Sequence, residues 1–168
     1  MATTRQDILT VIKSTIEGIV ASNDVRRFKS VILGRMPPSN TQNVPYPTCF
    51  IYSDRETRID EGIEAVIGME TWSWMVVLEV WASDAIMESL LNDIHTAMYT
   101  NRYFSNHACY SERVGIDFLI VDASNQITAM LVPYRIVYRH KLGDMGDDDG
   151  DALLEPSSFT NRILLPGS

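Results

Sequence analysis

Large apolar residues occupy every second position in residues 71–81, which is the period of a β-strand that buries one face. The apolar series is Trp72, Trp74, Val76, Leu78 and Val80. It alternates with Ser73, Met75, Val77 and Glu79. A sheet covered by helices needs large apolar volume, so we expect Trp72 and Trp74 to lie in the core.

Two segments have the helical period that such a covering layer requires. Residues 4–20 form the first predicted helix, with Ile8, Val11, Ile12, Ile16 and Ile19 on one face. The second begins at Ser83 or Asp84 and ends near Asn101. Its apolar stripe comprises Ile86, Met87, Leu90, Leu91, Ile94, Ala97 and Met98. In the sequence, one predicted helix therefore precedes the clearest strand and the other follows it.

Four further segments, rich in β-branched and aromatic residues, predict strands at 25–35, 48–53, 116–121 and 130–140. Pro133 lacks a donor for the ladder, which places the last strand at an edge or at a bulge. The acidic segment 54–68 is interpreted as a long hairpin arm. Together these elements predict an α+β fold: a mostly antiparallel β-sheet packed against two main helices.

The C-terminal part of the chain differs from the rest. A length of 168 residues fits one domain, and we assign residues 1–142 to it. Residues 143–168 begin with an acidic Gly/Asp hinge and end in a predicted flexible arm that is too short for its own core. The apolar residues of the arm are Phe159, Ile163, Leu164 and Leu165. We expect them to contact a partner surface.

Charge and motifs exclude several classes of function. The net charge of −8 opposes non-specific attraction to nucleic acid or anionic lipid. No apolar run approaches the roughly 20 residues of a spanning helix, so neither secretion nor membrane insertion is predicted. Dinucleotide, P-loop, hydrolase-elbow and zincin motifs are missing from the sequence, and no cofactor is expected.

Two groups of residues are candidates for site chemistry. Residues 144–151 look like a calcium loop, but Met145 and Pro156 occupy the positions where ligands would have to lie. Cys109 could pair with His107 or His95, as in a small cysteine-dependent enzyme. One thiol and two imidazoles are weak evidence for metal or catalysis, so we assign no catalytic or metal-binding residue.

Interface residues are predicted from charge and aromatic character. A strand at 25–35 would project Arg27, Lys29 and Arg35 to one side. This basic side is a solvated face or a subunit contact to acidic residues of the arm or of segment 54–68. Direct DNA binding is a third interpretation, which no recognition motif in the sequence supports. The acidic candidates in that segment are Asp60, Glu61 and Glu64. Trp81, opposite the core tryptophans, is predicted to be an exposed interface anchor.

The order of these elements resembles the tail terminator, or tail-completion, proteins of long-tailed bacteriophages. The resemblance rests on the helix at 8–20, the strand end 31–35 (VILGR), and the proline-marked strand entry 44–52 (VPYPTCFIY). The Trp-rich strand at 70–81, the helix that follows it and the closing strand at 132–140 complete the match. It is a likeness of layout and size over roughly residues 5–142.

The resemblance implies a structural virion protein without catalytic residues. Members of that family form homohexameric rings that cap the tail tube and join it to the neck, after assembly in the host cytoplasm. The implied partners are copies of the chain itself, the tail tube protein and neck or connector proteins, with the sheath protein as a further candidate. Two alternatives stay open: an adaptor on the portal side of the joint, and the cysteine-dependent enzyme.

Overall fold

The computed structural model describes residues 5–35, 44–59, 69–122 and 126–141. Within these residues the chain forms two helices, α1 (Arg5–Glu17) and α2 (Asp84–Thr100). The strands in chain order are β1 (Ser30–Leu33), β2 (Thr48–Arg58), β3 (Met69–Ser83), β4 (Tyr110–Arg113), β5 (Asp117–Asp122) and β6 (Ile127–Lys141). The predicted α+β class is confirmed.

One mixed sheet contains all of these strands, in the order β1-β2-β3-β6-β4, with β5 also paired to β6. β1 runs parallel to β2, and the other pairings are antiparallel. β3 and β6 are paired along their whole length, from Met69 opposite Lys141 to Ser83 opposite Ile127. These two long strands form the centre of the sheet.

Both helices pack against the same face of the sheet. Ile8, Ile12 and Ile16 of α1 are completely buried, as the predicted apolar stripe requires. They belong to one core cluster with Leu90 and Ile94 of α2. The sheet contributes Trp74, Val76, Leu78 and Val80 from β3, and Met130, Val132 and Ile136 from β6. Alternate residues of each strand therefore point away from the helices, onto what we call the open face.

Pro133 lies inside the sheet, so the prediction of an edge strand is wrong for β6. The Val114 N–H donates to the Pro133 carbonyl at 2.8 Å, which directs the backbone polar groups of Pro133 toward β4 and β5. β5 pairs with residues 127–131 and β4 with residues 134–137. The missing N–H thus falls in the gap between the two short strands, where no ladder bond is lost.

The predicted strand at 25–35 is shorter than expected. Only Ser30–Leu33 forms a strand, and residues 25–29 form a loop in which Arg26 makes an isolated β-bridge to Val20 and Phe28 is buried. The parallel pairing of β1 with β2 sets this limit, since Ser30 lies opposite Thr48, the first residue of β2. The short strand β4 was not predicted, because Tyr110–Arg113 has no apolar alternation.

Candidate interaction surfaces

The predicted basic side at Arg27, Lys29 and Arg35 does not form, because only residues 30–33 of this region are a strand. The Arg27 guanidinium turns to α2, where its Nε donates to Asp93 Oδ2 at 2.6 Å and its other end contacts Ser89. Lys29 is exposed in the loop, and its backbone N–H donates to the Pro47 carbonyl. Arg27 therefore ties the loop to α2 within one chain.

Arg35 lies at the border of the open face. Its guanidinium stands 4.4 Å from the ring centroid of Tyr52 and forms an ion pair with Asp54 at 3.5 Å. The arginine stays exposed at this position. Its planar charge remains accessible to a partner while the ring and the carboxylate restrict its orientation.

Trp81 lies on the open face, opposite the core tryptophans as predicted, but it is not the exposed anchor that we expected. Only 6% of its surface is accessible. Its ring packs edge-on against Phe50 at 5.4 Å, and its Nε1–H donates to Glu79 Oε1 at 2.7 Å. The exposure was mispredicted because residues 44 and 46 pack over this part of the sheet, far from Trp81 in sequence.

Glu79 lies among aromatic and apolar side chains of the open face, which are Phe50, Tyr52, Val77 and Trp81. The second carboxylate oxygen accepts a hydrogen bond from the Tyr52 hydroxyl at 3.0 Å. Burial, this hydrogen bond and the charge of Glu79 raise the pKa of Tyr52 to about 12. Both carboxylate oxygens are occupied within the chain, which indicates a structural role.

A run of consecutive exposed apolar residues lies on β5. Phe118, Leu119 and Ile120 are 55%, 57% and 79% exposed, and the neighbouring Val114 is 55% exposed. Leu119 faces the open side opposite Ala129, whereas Phe118 and Ile120 face the helix side. Among the described residues β5 pairs only with β6, so its other edge is free for a partner.

A second apolar edge lies at the other end of the sheet. β1 pairs only with β2 in the described part of the chain, and its Ile32 and Leu33 are 40% and 37% exposed. The sequence pattern predicts strands in both regions but does not indicate their edge positions. The misleading signal was Pro133, which predicted either an edge or a bulge at β6.

The remaining predicted residues lie outside the described ranges. They are Asp60, Glu61, Glu64, Phe159, Ile163, Leu164 and Leu165. The same holds for the failed calcium loop at 144–151. In the ranges that the structure describes, no group of three or more His, Cys, Asp or Glu residues could hold a metal ion. No helix among them is long and apolar enough to cross a membrane.

The two cysteines differ sharply in access, which predicts their reactivity. Cys49 is completely buried in the core, and burial together with the charge of Glu79 raises the pKa of its thiol. Cys109 is exposed just before β4. We expect a thiol reagent at neutral pH to label Cys109 in the native protein and Cys49 only after unfolding. Mass spectrometry of labelled peptides measures this, and labelling of Cys49 in folded Cys109→Ser would contradict it.

Buried tyrosines predict a loss of stability at high pH. Burial raises the pKa of Tyr134 to about 12, and Tyr52 is raised to the same value, from a reference of 10.0. Their contribution to the free energy of unfolding is complete below pH 10 and is lost as pH rises through about 12. Urea unfolding midpoints should therefore fall above pH 10. Tyr52→Phe should fall less steeply, and an equal slope would contradict the role of Tyr52.

No protein-family model matches the chain, and a search of curated proteins gives no match.

Proposed function

We propose that the protein is a structural, non-enzymatic subunit that assembles into a ring at the head-proximal end of a bacteriophage tail. There it would cap the tail tube and join it to the neck. The observation that carries the proposal is the pair of apolar strands, β1 and β5, at opposite ends of one sheet. Among the apolar side chains described on these two strands, Ile120 is the most exposed, at 79%.

Exposed apolar edge strands favour association with another chain. A strand edge presents unpaired N–H and C=O groups, and apolar side chains beside it add a hydrophobic contribution when a partner covers them. Monomeric proteins usually protect such edges with charge, proline or a covering loop. β5 carries three consecutive exposed apolar residues, Phe118, Leu119 and Ile120, which favours an interface there.

The positions of the two edges favour a head-to-tail contact. Since β1 and β5 lie at opposite ends of the sheet, one edge can meet the other edge of the next subunit, and repetition of one such contact closes a ring. The charges beside the edges have opposite sign: Lys29 and Arg35 are exposed near β1, and Asp117 is exposed at the start of β5. This complementarity favours β1 against β5 over two copies of the same edge.

The assignment to a phage tail comes from the resemblance in layout over residues 5–142. The inference that the subunits form a ring comes from the exposed edges of β1 and β5. The partners in this proposal are further copies of the chain, the tail tube protein and the neck proteins. The location is the virion, after assembly in the host cytoplasm.

Solution mass and tube binding test the proposal separately. Light scattering over a range of micromolar concentrations should give a closed oligomer, visible as rings by negative-stain microscopy. Purified tail tubes should bind the protein at one end. A protein that stays monomeric both alone and with tubes would refute the ring, and binding to purified portal without binding to tubes would assign it to the portal side.

A further inference from the structure

A cleft on the open face carries positive charge in a chain whose net charge is −8. Its volume is about 560 Å³, and its lining includes Arg55, Ser73, Met75, Glu112 and Arg135. Four of these residues form one straight row across the sheet. Arg55 of β2 lies opposite Met75 of β3, Met75 opposite Arg135 of β6, and Arg135 opposite Glu112 of β4.

The charge of this surface extends along β6. Arg139 lies four residues beyond Arg135 and on the same side of the strand, and it is exposed. Arg135 forms an ion pair with Glu112. Within the residues that the structure describes, Arg55 and Arg139 have no acidic partner. We use the name arginine cleft for Arg55 and Arg135, which line the cleft together with Arg113, and for Arg139, which lies beyond the lining along β6.

We propose that the arginine cleft binds the acidic segment 144–151 of the same chain. That segment carries Asp144, Asp147, Asp148, Asp149 and Asp151 and no basic residue. Carboxylates are the groups that arginine forks bind best in proteins, and the opposite charges attract each other before contact. The proposal is independent of the ring.

The length of the chain allows this contact within one molecule. β6 continues from Arg135 to Lys141 over six residues, a distance of about 20 Å at the rise of a strand. The next six residues, 142–147, are long enough to span the same distance from Lys141 back toward Arg135, so Asp147 can reach Arg135. Asp149 and Asp151 have further slack, and Gly143 and Gly146 permit a reversal of direction.

The covalent connection makes this contact intramolecular. A short covalent tether gives an effective concentration of order millimolar, so the occupancy of such ion pairs does not depend on the protein concentration. Exposed ion pairs weaken in salt because the Debye length falls to about 8 Å at physiological ionic strength. Occupancy of the arginine cleft should therefore decrease as salt is added and should not depend on dilution.

Modification of arginines by phenylglyoxal in the full-length protein tests the proposal. Rates are measured for each arginine by peptide mass spectrometry at low salt, with the exposed Arg26 as internal reference. Combined Asp147→Asn, Asp148→Asn and Asp149→Asn should accelerate modification of Arg135 and Arg139 by at least about threefold relative to Arg26, because the segment would no longer cover them. High salt should give the same acceleration in the unsubstituted protein.

Neutralising Asp60, Glu61 and Glu64, as Asp60→Asn with Glu61→Gln and Glu64→Gln, is the matched control. It removes the same number of negative charges from another acidic segment and should leave the rates of Arg135 and Arg139 unchanged. Equal rates in the aspartate variant and the unsubstituted protein would overturn the proposal. Acceleration in the control variant alone would also overturn the proposal, because it would assign the cleft to segment 60–64. Protection that disappears on dilution would overturn it as well, because it would assign the cleft to a second copy of the chain.

Discussion

Ile120→Lys should convert the assembled protein to monomers at micromolar concentration. Ile120 is 79% exposed, so the substitution does not disturb the core of the subunit. In an interface the lysine would have to be buried without a partner charge, which costs far more than the lost apolar contact. We expect association to weaken by at least about thirtyfold, which corresponds to a hot-spot loss of about 2 kcal/mol.

Sedimentation velocity measures the effect, with Tyr99→Lys as the matched control. Tyr99 is 64% exposed and belongs to α2, which is neither of the two edge strands, so the same new charge there should leave association unchanged. Both variants should keep the thermal midpoint of the unsubstituted subunit. Loss of assembly in the control, or retention in Ile120→Lys, would show that β5 is not the interface.

Mixing two variants distinguishes a head-to-tail contact from a symmetric one. Ile32→Lys blocks the β1 edge and Ile120→Lys blocks the β5 edge, and each variant alone should be monomeric. In a mixture, the intact β1 edge of one variant can bind the intact β5 edge of the other, which stops growth at a dimer of twice 19.0 kDa. A mixture that stays monomeric would contradict the pairing of β1 with β5.

The core of the fold could be predicted from the sequence because its elements have strong periods. The helical stripes of α1 and α2 and the alternation of β3 each depend on residues close together in the chain. The edge positions depend on pairings between distant segments. Pro133 shows the difference: a local rule predicted an edge strand or a bulge, but the missing N–H falls in the gap between β4 and β5.

The candidate surfaces were harder to predict for the same reason. Trp81 was assigned to the correct side of β3, but its burial by residues 44 and 46 depends on a loop whose path the sequence does not specify. Arg27 was assigned to a strand, whereas its contact with Asp93 joins residues 66 positions apart. The row formed by Arg55, Arg135 and Glu112 requires the register of four strands, which no local pattern contains.

Trp74→Ala should lower the free energy of unfolding by about 3–5 kcal/mol, as expected for removal of a large aromatic side chain from a core. Trp74 is 1% exposed, packs edge-on against Tyr138 at 6.3 Å and donates from Nε1 to Ser53 Oγ at 2.8 Å. Urea denaturation followed by circular dichroism gives the value. Trp72→Ala is the matched control, because Trp72 belongs to the same strand face but is only half-buried. If the control lost as much stability as Trp74→Ala, the position of the core beneath the helices would be wrong.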